Sequence, residues 1–313
     1  MFKCGITVII AGLALMMMTG VLGTTASGGT DQTTASDSTL PRTAWGQAPS
    51  DAVICDQGPA NPPISKTHDL DEDAADWGVF CEGWPTWVIT NVATPSLGGK
   101  SLQCSLTGGV ITYSNVHCYR NLLPEPSASV FTLTMPFWFT PTTTCNNQSA
   151  PSVIQALEFS MNKYKHSKRY EFALQWQNVG EGAPRWRYWD PHQSEPWVPI
   201  SPTITQCLQA GQWHTLSLEG EILGGQVHYQ KFIMDDQSHI LNLTTSPTPT
   251  IASDGLAIAF QLDGNATQSP YDVFVDKVSF VRKPVAQLYL PLVMRVGQPL
   301  SCPIDRICIP PLP

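Results

Sequence analysis

The chain has 313 residues, a formal net charge of −8, only 13% charged residues, and 23 glycines with 27 prolines. That composition fits an extracellular β-protein better than a helical enzyme. It argues against nucleic acid as a partner, since phosphate binding needs clustered Lys and Arg and the sequence has no such cluster.

At the N-terminus Lys3 precedes an apolar run from Ile6 to Met18, and small residues continue through Ala26. This is the pattern of a secretory signal spanning 1–26, cut after Ala26. An uncleaved anchor is the alternative, because Gly5 to Gly23 is nearly long enough to span a bilayer. After cleavage no stable membrane insertion is expected, and the chain would act as a secreted, extracellular or cell-surface protein. Residues 27–50 are mostly Thr, Ser, Gly and Asp with almost nothing to bury, and read as a flexible leader.

Removing the signal removes Cys4 and leaves eight of the nine cysteines, an even number in an exported chain. Disulfides are therefore expected. Cys104 and Cys118 flank what reads as a hairpin, Cys302 and Cys308 could close a C-terminal loop, and Cys55 with Cys81 and Cys145 with Cys207 are the remaining pairings. Spacing alone leaves the connectivity open. Zinc is disfavoured because no Cys-x-x-Cys pair exists and the histidines are scattered.

From residue 51 to 283 the sequence offers no convincing amphipathic helix. It has instead many short alternating or apolar runs separated by Gly, Pro, Asn and Ser, the pattern of an all-β, two-sheet antiparallel sandwich. The clearest strands are Ser129 to Phe139, Val153 to Met161, Arg169 to Trp176, Arg185 to Trp189, Trp213 to Leu218, Gln226 to Met234, Leu256 to Leu262 and Val273 to Val281. Period two assigns their faces. Leu157, Phe159 and Met161 oppose Ala156, Glu158 and Ser160; Tyr170, Phe172, Leu174 and Trp176 oppose Arg169, Glu171, Ala173 and Gln175; Ile258, Phe260 and Leu262 oppose Ala259, Gln261 and Asp263. The second face of each strand can be solvent or a groove. Residues 284–313 form a Pro- and Cys-containing tail, and its apolar run Leu288 to Val293 is interrupted by Pro291.

Three stretches together resemble a group of bacterial secreted modules with a concanavalin A-like lectin/glucanase jelly roll. They are QALEFSMNKY (155–164), RYWDPHQSEPW (187–197) followed by Cys207 and the pair Trp213 and His214, and AFQLDGNATQSPYDVFVDKVSF (259–280). The resemblance covers about Gln155 to Val281 and implies glycan-related sandwich architecture rather than a reaction. It departs at Trp176, where the pattern has a Cys that pairs with one in the position of Cys207. The pattern then implies another partner for Cys207, with Cys145 the expectation.

Candidate site residues follow from the polar faces. Glu158 would line the groove, and Glu171 is the second acid a retaining hydrolase would need, unless Arg169 beside it makes an ion pair instead. Arg169, Glu171, Gln226 and His228 also match two fragments of certain jelly-roll polysaccharide lyases, whose third motif, with the catalytic Tyr, is absent. In RWRYWDPHQSEPW, Trp186 and Tyr188 take one face, Arg187 and Trp189 the other, and Asp190 opens a turn from which Trp197 returns. A ring exposed beside Arg and Asp suits a pyranose, while a ring in the core supplies burial energy. The ligand set expected on this basis is Gln175, Trp176, Arg187, Trp189, Asp190, Trp197, His228 and Gln261. The one cofactor suggested is a structural calcium at Asp263 and Asn265, where Asp-Gly-Asn is equally a plain turn. The acidic stretch DLDEDAAD (69–76) has Ala74 where a calcium loop needs Gly, and reads as a solvated loop. Asn147, Asn242 and Asn265 head Asn-x-Ser/Thr triplets.

The reading is a secreted glycan- or polysaccharide-binding module. A glycoside hydrolase or lyase on the same scaffold is the alternative, and a structural or adhesion module is the third.

Overall fold

The computed structural model describes residues 54–284, apart from 64, 110–113, 141–153 and 266–267. The expectations for the signal, leader and tail, and for Cys145, Asn147, Cys302 and Cys308, fall outside the described residues. Among those described, the helical content is a single 3-10 turn, Ala74–Asp76, and no helix is long and apolar enough to cross a membrane.

The strands in chain order are β1 (Ile54–Gln57), β2 (Gly78–Glu82), β3 (Thr86–Val92), β4 (Ser101–Thr107), β5 (Ser114–Leu122), β6 (Ala128–Phe139), β7 (Ala156–Lys165), β8 (Lys168–Gln177), β9 (Arg185–Trp189), β10 (Trp197–Pro199), β11 (His214–Leu223), β12 (Gln226–Met234), β13 (Gln237–Thr245), β14 (Thr248–Pro249), β15 (Gly255–Gly264), β16 (Tyr271–Val275) and β17 (Ser279–Pro284). They form two antiparallel sheets. The larger runs β1-β2-β5-β15-β7-β8-β9-β10, with β14 on β8; the smaller runs β13-β12-β11-β6-β16-β4-β3, with β17 on β6. Neighbours in space are mostly not neighbours in sequence: β15 inserts between β5 and β7, the long-range pairing of a jelly roll.

Alternation gives each strand one apolar flank, and the two flanks close on each other. Leu157, Phe159 and Met161 of β7, Phe172, Leu174 and Trp176 of β8, and Ile258, Phe260 and Leu262 of β15 are almost wholly buried. They meet Phe137 and Phe139 of β6 and Phe232 of β12: the ring centroids of Phe137 and Phe159 lie 4.8 Å apart, Phe139 and Trp176 5.9 Å, and Trp186 and Phe232 4.8 Å. Each such ring contributes on the order of 2–3 kcal/mol of burial. Gly220 permits a close approach of the two sheets, because a Cβ there would stand 2.5 Å from the Phe172 ring, and β11 shifts register at the same point. Lys163 falls on the apolar flank and is satisfied there, its ammonium donating to the carbonyls of Glu125, Pro126 and Ala128.

Three sequence readings change. The run Val273 to Val281 is two strands, β16 between β4 and β6 and β17 on β6, broken where Lys277 takes a positive φ of 54°. Cys104 and Cys118 are disulfide-bonded but do not flank a hairpin: β4 and β5 belong to different sheets, so the bridge ties the sheets across the core. The acidic loop is not solvated throughout, because Asp71 is fully buried. Cys55 and Cys81 pair directly across β1 and β2 as expected, with Cα atoms 5.0 Å apart. Cys207 is also disulfide-bonded.

Candidate functional site: a polar row on the outer face of the larger sheet

The flank of the larger sheet turned away from the core has its own order. Register places Phe80 of β2, His117 of β5, Gln261 of β15, Glu158 of β7, Gln175 of β8 and Arg187 of β9 side by side in one row across the sheet. One step along, Glu82, Asn115, Asp263, Ala156, Gln177 and Arg185 make a second row. Six strands separated by up to about 180 residues of chain thus supply adjacent side chains.

Glu158 is 9% exposed, and Gln175, Gln261 and Asp263 are still more buried. The amide nitrogen of Gln175 donates to Glu158 Oε1 at 2.5 Å and leans toward Asp263 Oδ2 at 3.4 Å, while Gln261 Nε2 donates to Asp263 Oδ1. Arg187 Nη2 donates to the carbonyl oxygen of Gln175, so that amide is held from both ends. Burial first, and then the charge of Asp263, lift the Glu158 carboxyl well above the usual carboxylate range. Burial likewise raises Asp263 to about 6, against the lowering effect of hydrogen bonds from Gln261 and Glu158. Of the two, Glu158 keeps its proton more readily and donates it to the Asp263 carboxylate.

Two polar atoms of this row have no hydrogen-bond partner among the described residues: Arg187 Nε, a donor, and Gln261 Oε1, an acceptor. They lie on either side of Glu158 and Gln175 in the row. Three strand spacings, about 14 Å, separate them. At the far edge Trp189 and Trp197, paired across β9 and β10, form a half-buried T-shaped couple with centroids 5.0 Å apart. Beyond the opposite end, two residues after Glu82, Trp84 is 61% exposed and held at a positive φ of 51°.

A second cluster occupies the same face further along β7 and β8. Arg169 donates to Glu171 and, at 2.9 Å, to Asn162 Oδ1. Glu171 stands opposite Asn162, four residues along β7 from Glu158, a separation of about 13 Å at strand rise. The half-buried His117 imidazole is pushed down to about 3 by burial and by the Arg169 charge, so it stays neutral.

The structure therefore brings together Glu158, Gln175, Arg187, Gln261 and Asp263, and it sets Trp189 and Trp197 at the rim. Glu171 is on the face but ion-paired and remote from Glu158; the acid beside Glu158 is Asp263, which sequence reasoning had assigned to a metal. Asn265 lies one residue beyond β15, half-buried. Three expected ligand residues are elsewhere. Trp176 points into the core, its indole N–H donating to the Gln206 carbonyl at 2.9 Å. Asp190 is buried in the β9–β10 turn, accepting from the His192 N–H and the Gln193 amide. His228 is in β12 of the smaller sheet, against Glu221 at 3.1 Å. His117 and Trp84 were missed; period two on β5, which sets His117 beside Tyr119 and opposite Cys118, is the signal that would have found the first.

No family model and no curated protein matches the chain. Among solved structures, the chain is similar to a carbohydrate-binding module of the β-sandwich superfamily, at 10% identity over 70% of this chain and a TM-score of 0.37. It spans 63% of that module's length. It is similar to an endo-β-1,4-glucuronan lyase from the fungus Trichoderma reesei, at 12% identity over 70% of this chain and 96% of that one, TM-score 0.42. It is also similar to the lectin UEA-II complexed with galactose, at 13% identity over 64% and 98%, TM-score 0.36. None of them carries its ligand over to this chain.

Proposed function

We propose that the outer face of the larger sheet binds a glycan, and that the chain does so outside the cell as a non-catalytic recognition module. The observation that carries this reading is the row of polar side chains Gln261, Glu158, Gln175 and Arg187 across the outer face, leading to the partly exposed Arg187 and the Trp189 and Trp197 couple at its edge. A sugar hydroxyl is donor and acceptor at once, so hydroxyls laid along this edge can receive from the partly exposed Arg185 and Arg187 guanidinium groups. The Trp189 and Trp197 couple offers an aromatic edge for a pyranose at the end of the row. Work outside the cell is supported by the disulfides Cys55–Cys81 and Cys104–Cys118.

Recognition is favoured over hydrolysis by the acid pair itself. Retaining hydrolysis places two carboxyls about 5–5.5 Å apart with the sugar between them, and inverting hydrolysis places them further. Here Glu158 and Asp263 are hydrogen-bonded to each other.

The test is a panel of neutral and uronate-containing polysaccharides incubated with the purified chain, recording retention together with release of reducing ends and unsaturated uronates. Retention without product, weakened at least tenfold by Arg187→Ala, is expected. Product formation abolished by Glu158→Gln would replace recognition by cleavage, and neither retention nor product would leave a structural module.

A further inference from the structure

β9 carries its outward side chains in the order Arg185, Arg187 and Trp189, each two residues from the next. The two arginines repeat one arrangement. Register sets Arg187 opposite Gln175 and Arg185 opposite Gln177; Arg187 Nη2 donates to Gln175 Oε1, and Arg185 Nε donates to Gln177 Oε1 at 2.8 Å. Gly182 backs the second guanidinium, since a Cβ there would stand 2.6 Å from Arg185 Nη1. Both heads are thus held in place by amides and backbone, while both residues stay partly exposed.

These braces are neutral. Arg120 and Arg169 are ion-paired with Asp76 and Glu171, but among the described residues no carboxylate comes within ion-pair distance of Arg185 or Arg187. Glu158, the acid next along the row, holds on to its proton. The two arginines stand about 7 Å apart along the strand. Burial and the Arg185 charge both weaken the hold of the Arg187 guanidinium on its proton, so the two cations oppose each other. Like charges side by side, each fixed by a neutral acceptor, make a seat for an anion, and the guanidinium fork matches the oxygens of an oxyanion.

The surroundings restrict which anion. Glu181 and Glu195, both exposed, lie in the connections before and after β9, and the chain as a whole carries a net charge of −8. A densely charged polymer meets that repulsion before it reaches the arginines. An isolated anionic group on a neutral chain does not.

We propose that Arg185 and Arg187 together seat one anionic substituent, a uronate carboxylate or a sulfate ester, of an otherwise neutral glycan. On the glycan reading, on which this rests, the acidic sugar lies over the two arginines and its neighbour meets Trp189, next on the same face and coupled to Trp197.

Two matched pairs of polysaccharide test this by affinity electrophoresis of the full chain: glucuronoxylan against the same xylan with its carboxyls reduced to alcohols, and a sparsely sulfated galactan against its desulfated form. Retention on the acidic member of at least one pair should exceed retention on its neutral partner at least tenfold, and the responding pair tells carboxylate from sulfate. That ratio should fall below twofold in Arg185→Gln and shrink as sodium chloride rises from about 50 to about 500 mM. Glu195→Gln, which removes an acid acting on Arg187, should raise it. Equal retention on both members of both pairs overturns the proposal and leaves the glycan reading standing. So does a tenfold preference that survives in both Arg185→Gln and Arg187→Gln. No retention on any of the four overturns the glycan reading and this proposal with it.

Discussion

Glu158 of β7 and Asp263 of β15 lie on adjacent strands, two register steps apart, and their carboxyls share a hydrogen bond in a setting from which water is largely excluded. Both groups take up protons more readily in the folded than in the unfolded chain. Folded acids with raised pKa values bind extra protons between the unfolded and folded pKa, so stability falls as pH rises through that interval. Stability of the wild type should decline from about pH 4 upward, with the Asp263 share complete somewhat above pH 6 and the Glu158 share continuing higher. Glu158→Gln mimics the protonated acid and removes the second share. Its unfolding midpoint should gain on the wild type progressively as pH rises above about 5, as thermal unfolding across a pH series would reveal; a constant difference would show that Glu158 is charged in the fold.

Arg187 fixes the Gln175 amide and carries the orphaned Nε. Arg187→Lys keeps the charge but loses the planar fork, and should weaken retention on the bound polysaccharide nearly as much as Arg187→Ala. Affinity electrophoresis checks this; full retention by the lysine variant would reduce Arg187 to a source of charge.

Trp189 and Trp197 stand at the rim of the row, and Trp84 is exposed beyond the other end. Trp189→Ala is expected to lower glycan affinity by about tenfold, the order of one aromatic contact, with little effect on the unfolding midpoint. Trp84→Ala reports whether the bound chain extends past Glu82: a short oligosaccharide should ignore it and a long one should not.

Trp186, from the same thirteen residues as Trp189, is a core residue packed on Phe232 and hydrogen-bonded through its indole to Gln206. Trp186→Ala should cost about 3–5 kcal/mol in urea unfolding. A loss near zero would mean that β9 is not closed onto the smaller sheet.

The Cys104–Cys118 bridge joins the sheets across 14 residues of chain. Replacing both by Ala should lower stability by about 3 kcal/mol while leaving glycan retention intact, because neither cysteine reaches the outer face.

Much of this was legible in the residues. The alternation Leu157, Glu158, Phe159 puts Glu158 on the outer flank whatever lies beside it, and Arg185 to Trp189 and Gln226 to Met234 are strands with the predicted ends. The same rule already set Trp176 with Phe172 and Leu174, so its absence from the site follows from its parity. Asp190 was less readable: Asp before Pro announces a turn, but whether its carboxyl is free or fastens that turn depends on His192 and Gln193 folding back onto it.

The sequence by itself determined which flank of each strand is apolar, because side-chain direction repeats every two residues and needs no knowledge of the neighbouring strand. Only the tertiary structure decided who those neighbours are. Asp263 stands by Glu158, and Gln261 between it and His117, because β15 enters the sheet between β5 and β7; His228 is far away because β12 joined the other sheet. Strand order is fixed by burial summed over two whole sheets, a quantity no local stretch contains, and so the polar row exists only once the chain has closed.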